Sequence, residues 1–240
     1  MADIPPAARA AVAALCDNPA VPVKILVSGG IGTGKSSVLA TLRSALRGAG
    51  MALLTRPPRD GDDPGAAVVI DDAHLLGDDE LGRLLERVGD PGSTVVVATE
   101  PLVHRAALRA LATAIERENP AVALSALKPS DIGRVAAEIL GAALPSDVVR
   151  SLMPATAGLP FLLRPAIAAA GSSDSESAAA AVVSAATFAL IDRLRRLDEP
   201  VLDALLVSSL STDLGPDDIA AALRLGADCL LYTSPSPRDS

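Results

Sequence analysis

Gly29-Gly30-Ile31-Gly32-Thr33-Gly34-Lys35-Ser36 decides how this chain is read. It fits the pattern G-x-x-x-x-G-K-[ST] without a misfit, and roughly one chain in five hundred of this composition would carry that pattern by chance. The flanks suit it. Residues 23–28, Val-Lys-Ile-Leu-Val-Ser, are β-branched and apolar, as a buried parallel strand is. Residues 35–47 space Val38, Leu39, Leu42 and Leu46 along one face of a helix. The glycines let the backbone curl so that its N–H groups converge on phosphate oxygens. The helix that begins near Lys35 adds the positive end of its dipole. Lys35 is placed to reach the β- and γ-phosphates, and Ser36 to offer its hydroxyl to Mg²⁺. Gly29, Gly30, Ile31, Gly32, Thr33, Gly34, Lys35, Ser36 and Ser37 form the expected nucleotide-binding loop.

Next outward is Ala66-Ala67-Val68-Val69-Ile70-Asp71-Asp72, an apolar strand ending in two acids. Such a strand delivers carboxylates beside the phosphates. Asp71 is expected to hold Mg²⁺ with Ser36, and Asp72 to orient or deprotonate the attacking water; Asp72 and the phosphate-binding Lys35 are the expected catalytic residues. Residues 94–98 read as a further strand, and Thr99 after them is a candidate for sensing the γ-phosphate. His74 reads as a structural side chain, with a phosphate-sensing role as its alternative, and His104 as structural. Arg105, Arg109 and Arg117 read as solvated charges on the following helix.

Strand and helix patterns alternate up to about residue 126, which implies a parallel sheet with covered faces. The strands are expected near 23–28, 51–55, 66–70, 94–98 and 121–124. Only about ten residues join the second strand to the third, too few for a helical crossover, so the second is expected at an edge. After Leu127 the strand signal stops. Ser130-Asp131 and Ser146-Asp147 look like helix caps, and residues 160–170 form another helix. The expected organisation is a P-loop core at 1–126, a helical lid at 127–171, a polar linker at 172–177 and an incomplete helical segment at 178–228.

Composition narrows the function. The 240 residues carry 21 basic and 29 acidic side chains, a net charge of −8. That balance opposes a phosphate-gripping nucleic-acid surface on this stretch. Aromatics make up 1% of the chain, so stacking platforms for single strands are absent. Three lysines stand against eighteen arginines, the mark of a GC-rich genome, and they make Lys35 more telling. Two cysteines suit a reducing cytosol, and no stretch has the length of a membrane span, so a cytoplasmic protein is expected. The histidines and cysteines make no zinc site.

Residues 229–240, Cys-Leu-Leu-Tyr-Thr-Ser-Pro-Ser-Pro-Arg-Asp-Ser, break with the alanine-rich chain before them. They resemble an in-frame translation of a transposon-type sequencing adapter. The expectation is an artefactual tail, with the natural chain continuing past Asp228.

Together these pieces resemble the ATPase region of large ATP-binding LuxR-type transcription regulators, within the STAND class of AAA+-like P-loop ATPases. The resemblance rests on residues 29–36, Val68 to Leu76, Val95 to Thr99, Ala123 to Asp131, Thr156 to Leu163, and Phe188 to Asp198. It implies an ASCE-type α/β P-loop fold of about five strands, a helical lid and the start of a winged-helix-like domain. In Thr156-Ala157-Gly158-Leu159-Pro160, similar to the family's Gly-x-Pro motif, Pro160 is implied to contact the nucleotide near its base. The family further implies an ADP-held closed state, self-association with ATP, slow hydrolysis, and DNA bound only through a C-terminal domain missing here. This chain departs from the pattern at Glu100, where some relatives carry an arginine, and at Leu159, which replaces an asparagine. Other AAA+-like roles, a small-molecule kinase and a non-hydrolysing nucleotide-binding module stay open. The kinase is the weakest of these, because lid cations Lys128, Arg134, Arg150 and Arg164 are scattered.

Overall fold

A computed structural model describes residues 4–101, 105–174, 177–209 and 215–223. His104 and the tail at 229–240, with Cys229, lie outside the described residues. Five strands form one sheet: β1 Lys24–Gly29, β2 Leu53–Leu54, β3 Ala67–Ile70, β4 Val95–Thr99 and β5 Val122–Leu124. Their order is β2-β3-β4-β1-β5, and every pairing is parallel. This is the α/β P-loop arrangement the sequence predicts, with the short second strand at an edge.

The two-residue period of a strand builds two cores from one set of residues. Ile25, Val27, Val69, Val96 and Ala98 face one way, under α1 (Arg9–Asp17) and α2 (Lys35–Gly48). Leu26, Val68, Ile70, Val95 and Val97 face the other, under α3 (Asp78–Gly89) and α4 (Ala106–Glu116). Strands covered on both faces read as unbroken apolar runs, which is why β1, β3 and β4 stand out in the sequence. Each such side chain, buried fully, contributes about 1.5–3 kcal/mol.

Beyond β5 come α5 (Pro129–Leu140), α6 (Ser146–Thr156), α7 (Pro160–Ser172) and α8 (Ala178–Leu194). Ile132, Val148, Leu152, Leu163 and Ile167 share a cluster with Ala178, Val182 and Ala186. The helical core therefore reaches past the polar stretch at 172–177 and takes in the first half of α8. The chain divides into two compact units, Met1–Ala186 and Thr187–Ser240. In the second, α9 (Glu199–Ser208) and α10 (Pro216–Leu223) bury Ala204 and Ile219 with Val207 and Leu223.

The two expected serine caps are corrected. Lys128 and Pro145 occupy the N-cap positions of α5 and α6, with no side-chain cap bond. Pro129 starts α5 because a proline ring already has helical φ and no N–H to satisfy. Asp131, one turn in, accepts from Arg134 at 3.1 Å instead of capping. Among the described residues, no helix is long and apolar enough to cross a membrane.

Candidate functional site

The loop between β1 and α2 closes as its glycines dictate. Gly32 and Gly34 have φ of +80° and +101°, a region that L side chains avoid. Gly29 has an ordinary φ but no room. A Cβ there would stand 2.8 Å from the Leu124 carbonyl oxygen and 2.6 Å from Thr33 Oγ1. Thr33 Oγ1 donates to the Gly30 carbonyl at 2.8 Å and pins the turn.

Lys35 points back into this loop. Its Nζ donates to the carbonyls of Gly29 (2.7 Å) and Gly30 (3.2 Å), and its side chain is only 8% exposed. Ser36, next along the first turn of α2, is exposed and Ser37 is half-buried. A desolvated cation at a helix N-terminus, ringed by a glycine loop, is an anion-binding arrangement.

Strand order brings β4 between β1 and β3, with Thr99 in register with Ser28. Thr99 thus ends beside the phosphate loop. It is buried, and its hydroxyl donates to the Glu100 carbonyl at 3.0 Å. Asp71 follows β3, one strand further out, and its Oδ1 accepts the Asp72 N–H at 3.0 Å. Asp72 takes the left-handed conformation, φ +48°, and leaves its side chain half-exposed, with Oδ1 4.0 Å from His74 Nδ1.

The contacts of three residues at this site were not legible in the sequence. Glu100 Oε1 stands 3.9 Å from Lys35 Nζ, so the acid paired with the loop lysine is the one that follows β4. His74, for which the sequence favours a structural role over phosphate sensing, is buried between Asp72 and Glu100. Arg105, read as a surface charge, donates to the His74 carbonyl at 2.7 Å and pairs with Asp78 at 2.6 Å, bracing that turn. Arg109 and Arg117 are exposed, as expected.

The N-terminus of α7 meets the loop through Pro160 and its neighbour Phe161. A Cβ on Gly32 would lie 2.4 Å from the Phe161 ring, and one on Gly34 would lie 3.0 Å from Pro5 and 4.0 Å from Pro160. The phosphate loop is therefore roofed by α7 and by the chain before α1. The only hint of Phe161 in the sequence is that a rare aromatic follows the Gly-x-Pro segment. Gly158 sets this approach: its φ is +70°, and its carbonyl accepts the Leu127 N–H at 2.8 Å. Arg9 and Glu138 form an ion pair that ties α1 to α5. Behind Pro160, a cavity of about 20 Å³ is walled by Ile4, Pro5, Leu127 and Leu163. It has room for about one water, not for a nucleobase. A larger hollow of about 660 Å³ between α1 and β5 has no charged lining and does not suit phosphate.

The folds of solved structures agree with this geometry. The RuvB Holliday junction branch migration motor of Thermotoga maritima superposes with a TM-score of 0.56 and 16% identity, over 96% of this chain and 87% of that one. A point mutant of the same protein gives 0.55 and 18% identity over the same shares. The α/β P-loop fold with its five-stranded parallel sheet is shared with these structures. At such identities the likeness is one of fold. No protein-family model matches the chain, and no curated protein is similar to it in sequence.

Proposed function

We propose that this chain binds ATP or ADP with Mg²⁺ and hydrolyses ATP slowly, as a nucleotide-driven regulatory switch. The observation that carries the reading is Lys35: a buried ammonium held at the mouth of a glycine loop, at the N-terminus of α2. Gly29 to Ser37 would cradle the phosphates, Thr99 would sense the terminal one, and Pro160 would close over the nucleotide from the lid.

The donor set suits Mg²⁺. Ser36 offers an exposed hydroxyl and Asp71 a carboxylate oriented by the next N–H. Among the described residues, no three acids, histidines or cysteines cluster as a metal site. Mg²⁺ is commonly held by one or two protein oxygens plus phosphates and waters, which is what Ser36 and Asp71 can supply. The bound ion would neutralise developing phosphate charge.

The finer reading is a LuxR-type regulator, with DNA bound by a further C-terminal domain and self-association in the ATP state. It is supported by the similarity of residues 68–76, 123–131 and 156–163 to that family. The net charge of −8 favours nucleic-acid contact elsewhere than on this stretch. A helix-turn-helix encoded downstream of the ATPase region in the gene is its test.

Titrating the protein with ATP and ADP in Mg²⁺ tests the central claim. Micromolar binding that drops by about a hundredfold or more in Lys35→Ala is expected, since a buried charged contact is lost. Equal binding by Lys35→Ala and the parent would sink it.

A further inference from the structure

Glu100 is the part of this site that the proposed function leaves unused. Lys35 is almost fully desolvated, so its charge needs acceptors. It finds two neutral carbonyls, of Gly29 and Gly30, and one anion within 4 Å among the described residues, the Glu100 carboxylate at 3.9 Å. That separation is an ion pair but not a hydrogen bond, so the pair is loose. The Glu100 side chain is 22% exposed. A second partner is at hand. Glu100 Oε1 lies 3.9 Å from His74 Nε2, and the Glu100 N–H donates to His74 Nδ1 at 3.4 Å. His74 is in turn held from behind by Arg105 on its carbonyl.

A carboxylate beside the loop lysine has the same charge as a terminal phosphate and competes for the same cation. Lys35 is placed to reach the β-phosphate of either nucleotide, and a triphosphate brings a second, γ, group to the same cation, so the contest is sharper with the triphosphate. We propose that Glu100 discriminates nucleoside triphosphate from diphosphate at this site: it serves as the counter-ion of Lys35 until a γ-phosphate displaces it, and then rests on His74. This builds on the nucleotide-binding reading above. It makes triphosphate binding costlier than the loop alone would, which favours the diphosphate-held state of a switch.

The test uses the full chain and calorimetric titration with ADP and with a non-hydrolysable ATP analogue, both in Mg²⁺. Glu100→Gln keeps the shape and removes the charge. It should tighten the triphosphate by about tenfold or more, the scale of one charge contact near 4 Å, and shift ADP by less than about threefold. His74→Ala should weaken the triphosphate selectively, and that effect should vanish in a Glu100→Gln background, since His74 acts through Glu100. Equal shifts for both nucleotides, a weakened triphosphate in Glu100→Gln, or a His74 effect independent of Glu100 overturns the proposal. A parent that binds both nucleotides while Glu100→Gln leaves their ratio unchanged overturns this inference alone. A parent that binds neither overturns the nucleotide reading and this one with it.

Discussion

Gly29 and Asp72 show what single residues contribute. At Gly29 the constraint is space: any Cβ meets the Leu124 carbonyl at 2.8 Å, and a backbone atom in a paired strand does not yield cheaply. Gly29→Ala is expected to cost about 1–3 kcal/mol, read as a lower Tm, and to weaken nucleotide binding. Asp72 is expected to act on the hydrolytic water. In Asp72→Asn nucleotide binding should stay within about threefold while phosphate release slows about a hundredfold; an unchanged rate removes Asp72 from that role. Lys35 and Ser36 were legible in the sequence because a phosphate loop is built from contiguous backbone. The pairing of Lys35 with Glu100 was not, since the two are joined only by the adjacency of β1 and β4.

At the scale of elements, helix and strand periods were legible, and caps were not. The apolar runs of β1, β3 and β4 and the spaced leucines of α2 have one physical meaning each. A serine before a helix has several, and Lys128 and Pro145 took the cap positions expected of Ser130 and Ser146. Gly82 lies inside α3, and a Cβ there would meet nothing within 4 Å. Gly82→Ala should therefore raise stability by about 1 kcal/mol, seen in thermal or denaturant melts. The link from β2 to β3 is clamped by Arg56, which donates to both Asp62 oxygens at 2.7 Å. Together with the Arg59 N–H, this holds the Asp62 carboxyl down to about 2. A carboxyl lowered on folding stabilises above its unfolded value, and the contribution is lost as pH falls through the folded one. Thermal melts should show this loss between about pH 4 and pH 2, and Asp62→Asn should lower Tm at neutral pH and flatten that limb. Glu138 is likewise lowered, first by its bond to Arg9 and then by Arg134, so the tie between α1 and α5 weakens in acid and in salt.

For the whole molecule, the apolar cluster of α5–α7 reaches into α8, and the compact unit ends at Ala186. A fragment of residues 1–186 should unfold in one cooperative transition and bind nucleotide as the full chain does; a fragment that loses binding would show that the second unit takes part. The sequence by itself determined the P-loop, the parallel sheet with a short second strand at its edge, and the helical region after residue 127. These follow from local patterns: contiguous glycines and lysine, a two-residue period under double-sided burial, and a 3.6-residue period. Only the tertiary structure decided that Glu100 pairs with Lys35, that His74 is lodged between Asp72 and Glu100, and that Phe161 and Pro5 roof the loop. Those facts depend on which strands are neighbours and on how closely helices approach, and both are set by packing between residues far apart in the chain.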